Sequence, residues 1–158
     1  MEKEILTILT GALPISEVRG AIPLAIAVFH FSLLKAYFLS VIGNLLIIVP
    51  ALFFLHKLSD FMMRRVYFIN RFLTWLFERT QRLHQDHFHH YSWAPLALFI
   101  FVAIPLPFTG AWSGAVAAFI FGIPFWRSVL SISLGVLAAG AIVLSIMSLG
   151  WLAFNSAL

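Results

Sequence analysis

The sequence predicts an all-α integral membrane protein, built as an inverted repeat of a re-entrant helical hairpin plus a transmembrane helix. Of its 158 residues, 62% are hydrophobic and 10% are charged, against about 25% charged in soluble domains. The charge-free runs 36–56, 87–126 and 128–158 each reach the about 20 residues that a spanning helix needs. Prolines and glycines interrupt two apolar stretches, 5–34 and 93–122. We therefore expect a single membrane domain over residues 1–158.

The first apolar stretch, 5–34, is predicted to be a re-entrant hairpin. It is long enough to cross a bilayer, but Pro14, Gly20 and Pro23 fall near its middle. Proline removes a helix hydrogen bond and glycine weakens a helix interior. Each half then measures roughly 15 to 20 Å, against about 30 Å of hydrocarbon, so neither half crosses alone.

Glu17 and Arg19 are the acidic and basic residues of this hairpin. Ionisable groups at membrane depth are costly and usually mark a pathway for polar cargo. Two positions apart, they could not pair on a regular helix, but in an irregular turn they could. Irregular backbone at this depth must be buried or line water, so another element should cover the tip. Glu17 would exchange protons or face a cation, and Arg19 would hold an anionic cargo. The alternative is a structural ion pair that satisfies a buried turn.

The segments 35–56 and 57–92 read as a transmembrane helix and a basic amphipathic connector. Asn44 lies near the centre of the first segment. The connector has apolar residues at helical spacing, aromatic residues, and most of the basic side chains of the chain, which is typical of a helix on the membrane surface. Its charge is a topology signal and a headgroup-facing surface. The positive-inside rule places it in the cytoplasm, with both termini outside.

The second half repeats this pattern. Residues 93–122 are predicted to be a second re-entrant hairpin, and residues 127–151 a second transmembrane helix with small residues that allow close packing. The matches are Leu13-Pro14 with Leu106-Pro107, Lys35 with Arg127, and Gly43 with Gly135. A hairpin returns to its starting side and the next helix crosses, so the two repeats are inverted. Secondary transporters build substrate sites from such paired broken helices.

Other candidate residues are polar side chains whose role the sequence leaves open. Asn44, Thr109 and Trp112 either line a cavity that faces Glu17 or pack helices together. His84 and His87 could share a helix face and bind zinc, but no second ligand cluster completes a site, so an interfacial titratable patch is the preferred interpretation. We predict no metal and no cofactor. The chain has no cysteine, which excludes disulfides and thiolate chemistry.

The strings Glu17-Val-Arg-Gly-Ala-Ile-Pro23 and Pro105-Leu-Pro-Phe-Thr-Gly-Ala-Trp112 resemble the prokaryotic small multidrug export membrane protein family, a compact relative of the DedA/VTT superfamily. The resemblance covers nearly the whole chain and implies two opposed re-entrant hairpins in a superfamily linked to lipid-carrier translocation and scrambling. It also implies site roles, for Glu17 and Arg19 in the first hairpin and for Pro107, Thr109 and Gly110 in the second. DedA-type proteins usually carry further arginines near the second hairpin, whereas the first charge after this motif is Arg127.

These observations favour a small transporter or exporter, which could be proton-coupled, for a polar or amphipathic solute. The alternatives are a DedA-like flippase for polyprenyl-phosphate carriers or a lipid scramblase, and a noncatalytic membrane scaffold. No nucleophile–base set lies at depth, so an enzyme is not expected. We expect a multi-pass protein of the prokaryotic plasma membrane with lipid and small-molecule partners and no nucleic acid. Two spans and two hairpins form a thin shell around a pathway, which is compatible with a homodimer, although the sequence does not decide the oligomeric state.

Overall fold

Helices account for almost all of the described chain. The computed structural model describes residues 1–65, 93–106 and 109–156. The helices in these ranges are α1 (Glu2–Ala12), α2 (Glu17–Ala27), α3 (Leu33–Arg65), α4 (Ala94–Ala103), α5 (Ala111–Ile120) and α6 (Phe125–Ser156). No strand occurs in the described ranges, so the predicted all-α class is confirmed there.

Two short breaks separate α1 from α2 and α4 from α5, and both have the same local cause. Leu13 precedes Pro14 and is extended, with φ −70° and ψ 140°. Ile104 precedes Pro105 and is extended, with φ −73° and ψ 118°. The ring of a proline disfavours helical backbone in the residue before it. We name residues 13–19 the first tip and residues 104–112 the second tip.

The first break is shorter than the sequence suggested. Helix resumes at Glu17 and continues through Gly20 and Pro23, which both lie inside α2. Because most of the hydrogen bonds of α2 do not involve the proline nitrogen, one missing bond does not end the helix. Only residues 13–16 are non-helical between α1 and α2.

Among the described residues, two apolar segments are long enough to cross a membrane: Leu33–Leu55 in α3 and Phe125–Gly150 in α6. On α6 the buried residues Ser128, Ile132 and Val136 alternate with the exposed Leu130 and Leu134. Both faces are largely apolar, as expected for a helix with one side in lipid. The predicted spans 35–56 and 127–151 therefore correspond closely to these segments.

Helix α3 continues past the predicted boundary at His56 and ends at Arg65. Residues 57–65 contain charges but no proline or glycine, so the sequence offers no reason for the helix to stop. The Lys57 ammonium lies 5.8 Å from the centre of the Phe53 ring, one helical turn earlier on α3. The predicted connector thus begins as a continuation of α3, and its residues 66–92 lie outside the described residues.

The helices pack as two equivalent sets that cross over. In each half the first short helix packs on its own long helix, α1 on α3 and α4 on α6. The second short helix also contacts the long helix of the other half, α2 on α6 and α5 on α3. The two long helices contact each other, and the Tyr37 hydroxyl donates to the Leu137 carbonyl at 3.1 Å.

Equivalent glycines allow these close contacts in both halves. A Cβ atom on Gly43 of α3 would collide with the Ile8 carbonyl of α1. A Cβ atom on Gly135 of α6 would lie 3.0 Å from the Phe99 carbonyl of α4 and 2.7 Å from the Val102 side chain. The glycines that the sequence matched therefore have the same packing role, which small residues commonly have in membranes.

We expect Gly43→Ala to lower the stability of the folded protein by about 1–3 kcal/mol, because the added methyl group would force α1 off α3. Gly150 provides the matched control, since it lies in α6 and a Cβ atom there would have no neighbouring atom within 4 Å. Alanine there should leave the protein as stable or slightly more stable. Thermal unfolding in detergent measures both variants, and equal midpoints would contradict this packing role.

An ion pair joins the first turns of α1 and α3. The Lys35 ammonium lies 2.5 Å from the Glu4 carboxylate. The hydrogen bond and charge of Lys35, with a smaller contribution from the amino terminus, hold the pKa of the Glu4 carboxyl below its ordinary value. These two helices therefore begin at the same level of the molecule.

This pair predicts a small pH dependence of stability. Because the pKa of Glu4 is lower in the folded state, its contribution is present above the unfolded pKa and disappears as the pH falls through the folded one. We expect Glu4→Gln to lower the unfolding midpoint by a few degrees at most near pH 7, because exposed pairs contribute little. The difference from the wild type should disappear once the pH falls below the lowered pKa of folded Glu4, and a difference that persists in acid would exclude the ion pair as its cause.

Candidate functional site

Glu17 lies at the first tip, where it begins α2, and only 6% of its surface is exposed. Its φ angle is 45°, in the left-handed region that residues other than glycine rarely adopt. Such a conformation costs on the order of 1–3 kcal/mol and persists only where the surroundings hold it. The contacts of its carboxylate supply that restraint.

The Glu17 carboxylate binds the amino-terminal end of α5 in the second tip. It accepts the Trp112 backbone N–H at 3.3 Å and also faces the Ala111 N–H. A helix amino terminus has free N–H groups and a partial positive charge, both of which favour an anion. Gly110 leaves the necessary space, because a Cβ atom there would collide with this carboxylate.

Arg19 binds the opposite kind of helix end. Its guanidinium donates hydrogen bonds to the carbonyls of Leu106 and Thr109, and to that of Ile104 at 3.3 Å. These carbonyls follow the carboxyl-terminal end of α4, where a cation is favoured. The planar fork of arginine suits several acceptors at once. The buried Arg19 Nε has no hydrogen-bond partner among the described residues.

The second tip also caps the first one. The Trp112 indole N–H donates to the carbonyl of Ala12, the last residue of α1, at 3.0 Å. Within the first tip the Ser16 hydroxyl donates to the Thr10 carbonyl at 2.5 Å. Each tip thus satisfies backbone groups that the break in the other half leaves free.

Glu17 and Arg19 form no ion pair with each other, which the sequence had left open. The ion pairs of the described residues within 4.0 Å are those of Glu4 with Lys35 and with the amino terminus. Both charges of the first tip instead bind backbone groups of the second tip. Glu17 and Arg19 therefore do not form the structural ion pair that was the alternative interpretation; each of them contacts the second tip instead.

The remaining predicted tip residues shape the backbone. The Thr109 hydroxyl bonds to the Ile104 carbonyl at 2.7 Å and the Leu106 carbonyl at 2.9 Å, so it shares two acceptors with Arg19. Pro14 is exposed at the first tip, and Gly20 packs beside the Ser16 side chain. Pro23 lies within α2, away from the break. Pro107 lies outside the described residues.

Asn44 and Ser40 form a second polar cluster, on α3. Both are fully buried, and neither the Asn44 amide nor the Ser40 hydroxyl has a hydrogen-bond partner among the described residues. An unsatisfied buried polar group costs about 1–3 kcal/mol. The sequence predicted a role for Asn44 but not for Ser40. Ser40 lies one helical turn before Asn44, and this spacing was the pattern that could have identified it.

The structure gives no support for a metal site in the ranges that it describes. No group of three His, Asp or Glu side chains placed to bind a metal occurs in residues 1–65, 93–106 and 109–156. The weak candidates His84 and His87 lie outside these ranges, in the predicted connector.

Comparison with known proteins gives one match. The family model described as "Putative small multi-drug export protein" matches residues 17–142, a range that begins at Glu17 and contains Arg19 and the whole second tip. No curated protein and no solved structure matches the chain. Because the matched range is well over half of the sequence, the chain belongs to this small multi-drug export membrane protein family.

Proposed function

We propose that this chain is a small exporter that moves a polar or amphipathic solute past two opposed re-entrant hairpins. The observation that carries this proposal is the contact of the tips, in which Glu17 and Arg19 bind the backbone ends of the other hairpin. Secondary transporters build sites for cargo and coupling ions at broken helices, and ionisable side chains at membrane depth mark such pathways. Their bonds are to backbone groups, so cargo or protons can compete for them.

The lengths of the helices support a first tip near the middle of the bilayer. Helix α1 has 11 residues, which is about 16 Å at 1.5 Å per residue. Helix α3 covers the same length between Leu33 and Asn44, the centre of its apolar segment. Since the Glu4–Lys35 pair joins the starts of both helices, the first tip reaches the depth of Asn44.

The crossed packing of the two halves supports the inverted repeat. Two hairpins that enter from opposite faces would meet tip to tip, and the second short helix of each would lie against the long helix of the other half. Contacts of both kinds are present. In this arrangement the basic connector is cytoplasmic, both termini are outside, and a homodimer would complete the wall of the pathway.

The mechanism that fits these contacts is proton-controlled release of the tips. A proton on Glu17 removes the negative charge that holds the amino terminus of α5, and hydrogen bonds to neutral groups are about half as strong as those to ions. The tips can then separate, and Arg19 can exchange its carbonyl acceptors for an anionic or polar group of the cargo. Loss of the proton restores the contact and resets the cycle.

A lipid-carrier flippase or scramblase is the second candidate, favoured by the exposed side of the tips. Ile15 is 97% exposed, and Leu13 and Leu106 are both 55% exposed. These apolar side chains would face lipid at the depth of Arg19, whose guanidinium suits a phosphate. A lateral opening for a lipid headgroup would lie there.

Reconstituted liposomes separate the two functions. Ethidium efflux driven by an imposed pH gradient supports the exporter. Movement of a fluorescent phospholipid to the dithionite-accessible leaflet, with no ethidium transport, supports the flippase or scramblase. Protein-free liposomes are the control for leakage, and failure of both activities would favour the noncatalytic scaffold.

A further inference from the structure

The two halves differ in polarity at a buried pair of positions beside the matched glycines of their long helices. Ser40 and Asn44 stand three residues before and one residue after Gly43. At the same distances from Gly135 the second half has Ile132 and Val136. All four side chains are essentially fully buried, with exposures of 0% or 1%. The fold therefore accepts an apolar pair at this place, and the polar pair is not required for packing.

In the part of the chain that the structure describes, no group forms a hydrogen bond with the polar side chains of Ser40 and Asn44. Ser40 and Asn44 are four residues apart and share one face of α3. On either side of that face, Gly43 lies against the Ile8 backbone and Val41 lies near Gly140. The helices α2 and α5 also pack on α3, and most of their buried residues are small and apolar: Ala21, Ala25, Ala111, Ala115 and Ala118.

We propose that Ser40 and Asn44 form a binding site for a neutral hydrogen-bonding group, a hydroxyl or an amine, of the transported molecule. The Asn44 amide can both donate and accept, and so can the Ser40 hydroxyl. Neither is charged, so the pair suits a neutral group, whereas Arg19 suits an anionic one. The site rests on the proposed export function and places a second contact for the cargo at the middle of the bilayer.

The first hairpin covers this site. A Cβ atom on Gly11 of α1 would lie 2.5 Å from the Ser40 carbonyl, so the backbone of α1 lies directly over this turn of α3. The site opens when α1 moves away from α3, which the release of the tips would allow. Water has the same hydrogen-bonding chemistry as the cargo group, and the experiments must distinguish the two.

A thiol at the site measures access without a transport assay. The chain has no cysteine, so Ser40→Cys and the matched control Ile132→Cys each contain a single thiol. We expect a hydrophilic maleimide to modify the first about tenfold faster than the second, because thiolates form only where water reaches them. Ethidium, which carries two neutral amino groups, should slow the first reaction and not the second.

Each outcome of the labelling decides the proposal. Equal rates at the two positions would overturn it. Fast labelling of Ser40→Cys that ethidium does not slow would identify water as the occupant and overturn the cargo site. Protection by ethidium would support the site even if liposome transport failed, so the two proposals can be judged separately.

Exchanging the side chains of the equivalent positions 44 and 136 tests whether Asn44 contributes to the affinity for ethidium. We expect Asn44→Val to bind ethidium about tenfold more weakly, since one or two neutral hydrogen bonds are lost, and to unfold at the same or a higher temperature. The reciprocal Val136→Asn should unfold at a lower temperature with no gain in affinity. Unchanged ethidium binding by Asn44→Val, or its failure to fold, would overturn the proposal in favour of a structural amide.

Discussion

Replacing Arg19 by alanine should abolish transport and lower the stability of the folded protein by about 2–4 kcal/mol. The guanidinium satisfies the carbonyls of Ile104, Leu106 and Thr109. Without it the Thr109 carbonyl loses this donor, and the carbonyls of Ile104 and Leu106 keep only bonds from within the second tip. The stability is lost because the charge-assisted bonds that join the two tips are gone. Thermal unfolding in detergent and ethidium efflux from liposomes measure the two effects.

Two further variants make this prediction specific. Arg19→Lys keeps the positive charge but loses the planar fork, so we expect intermediate stability and strongly reduced transport. Arg127→Ala removes an exposed arginine at the start of α6 and should be close to wild type in both measurements. A wild-type unfolding midpoint for Arg19→Ala would show that the contacts between the tips do not stabilise the fold.

Replacing Glu17 by glutamine should reduce gradient-driven transport by about 100-fold or more, the usual contribution of a positioned proton-transfer group, and lower the stability of the folded protein by about 1 kcal/mol. Glutamine is neutral, as Glu17 is when it carries a proton, so its carbonyl accepts the Trp112 N–H more weakly and the tips are held less tightly. The variant cannot exchange a proton at this position. Glu4→Gln is the matched control, because it removes a carboxylate from the start of α1 and should leave transport intact.

Gly110→Ala tests the position of the carboxylate without changing its charge. The added methyl group occupies the space of the Glu17 carboxylate and should displace it from the amino terminus of α5. We expect transport to fall as in Glu17→Gln. Normal transport by Gly110→Ala would mean that this contact is dispensable, even if Glu17 itself is required.

The sequence was sufficient for the features that follow from local chemistry. The prolines within both apolar stretches indicated the two breaks, because a residue before proline avoids helical backbone. The predicted counterpart of Leu13-Pro14 was Leu106-Pro107, whereas the structure breaks α4 one step earlier, at Ile104 before Pro105. The apolar runs located both spanning segments, and the charges within 5–34 identified Glu17 and Arg19. The match of Gly43 with Gly135 anticipated their equivalent packing.

The features that the sequence did not show depend on contacts between distant segments. The acceptors of Arg19 are backbone carbonyls, which every residue has, so no side chain marked them. Gly110 gave no indication that it makes room for Glu17. Ser40 was not identified because only the structure shows that it is buried and has no hydrogen-bond partner among the described residues. The first spanning helix was predicted to end at His56 because charged residues follow, although no proline or glycine stops the helix there.

The most direct test of the account is ethidium efflux from liposomes that contain wild-type protein or Glu17→Gln, with and without an imposed pH gradient. The account predicts that the gradient accelerates efflux by the wild type and has no effect on Glu17→Gln. Equal acceleration of both proteins would contradict it, because the first tip would then hold the fold together without controlling transport.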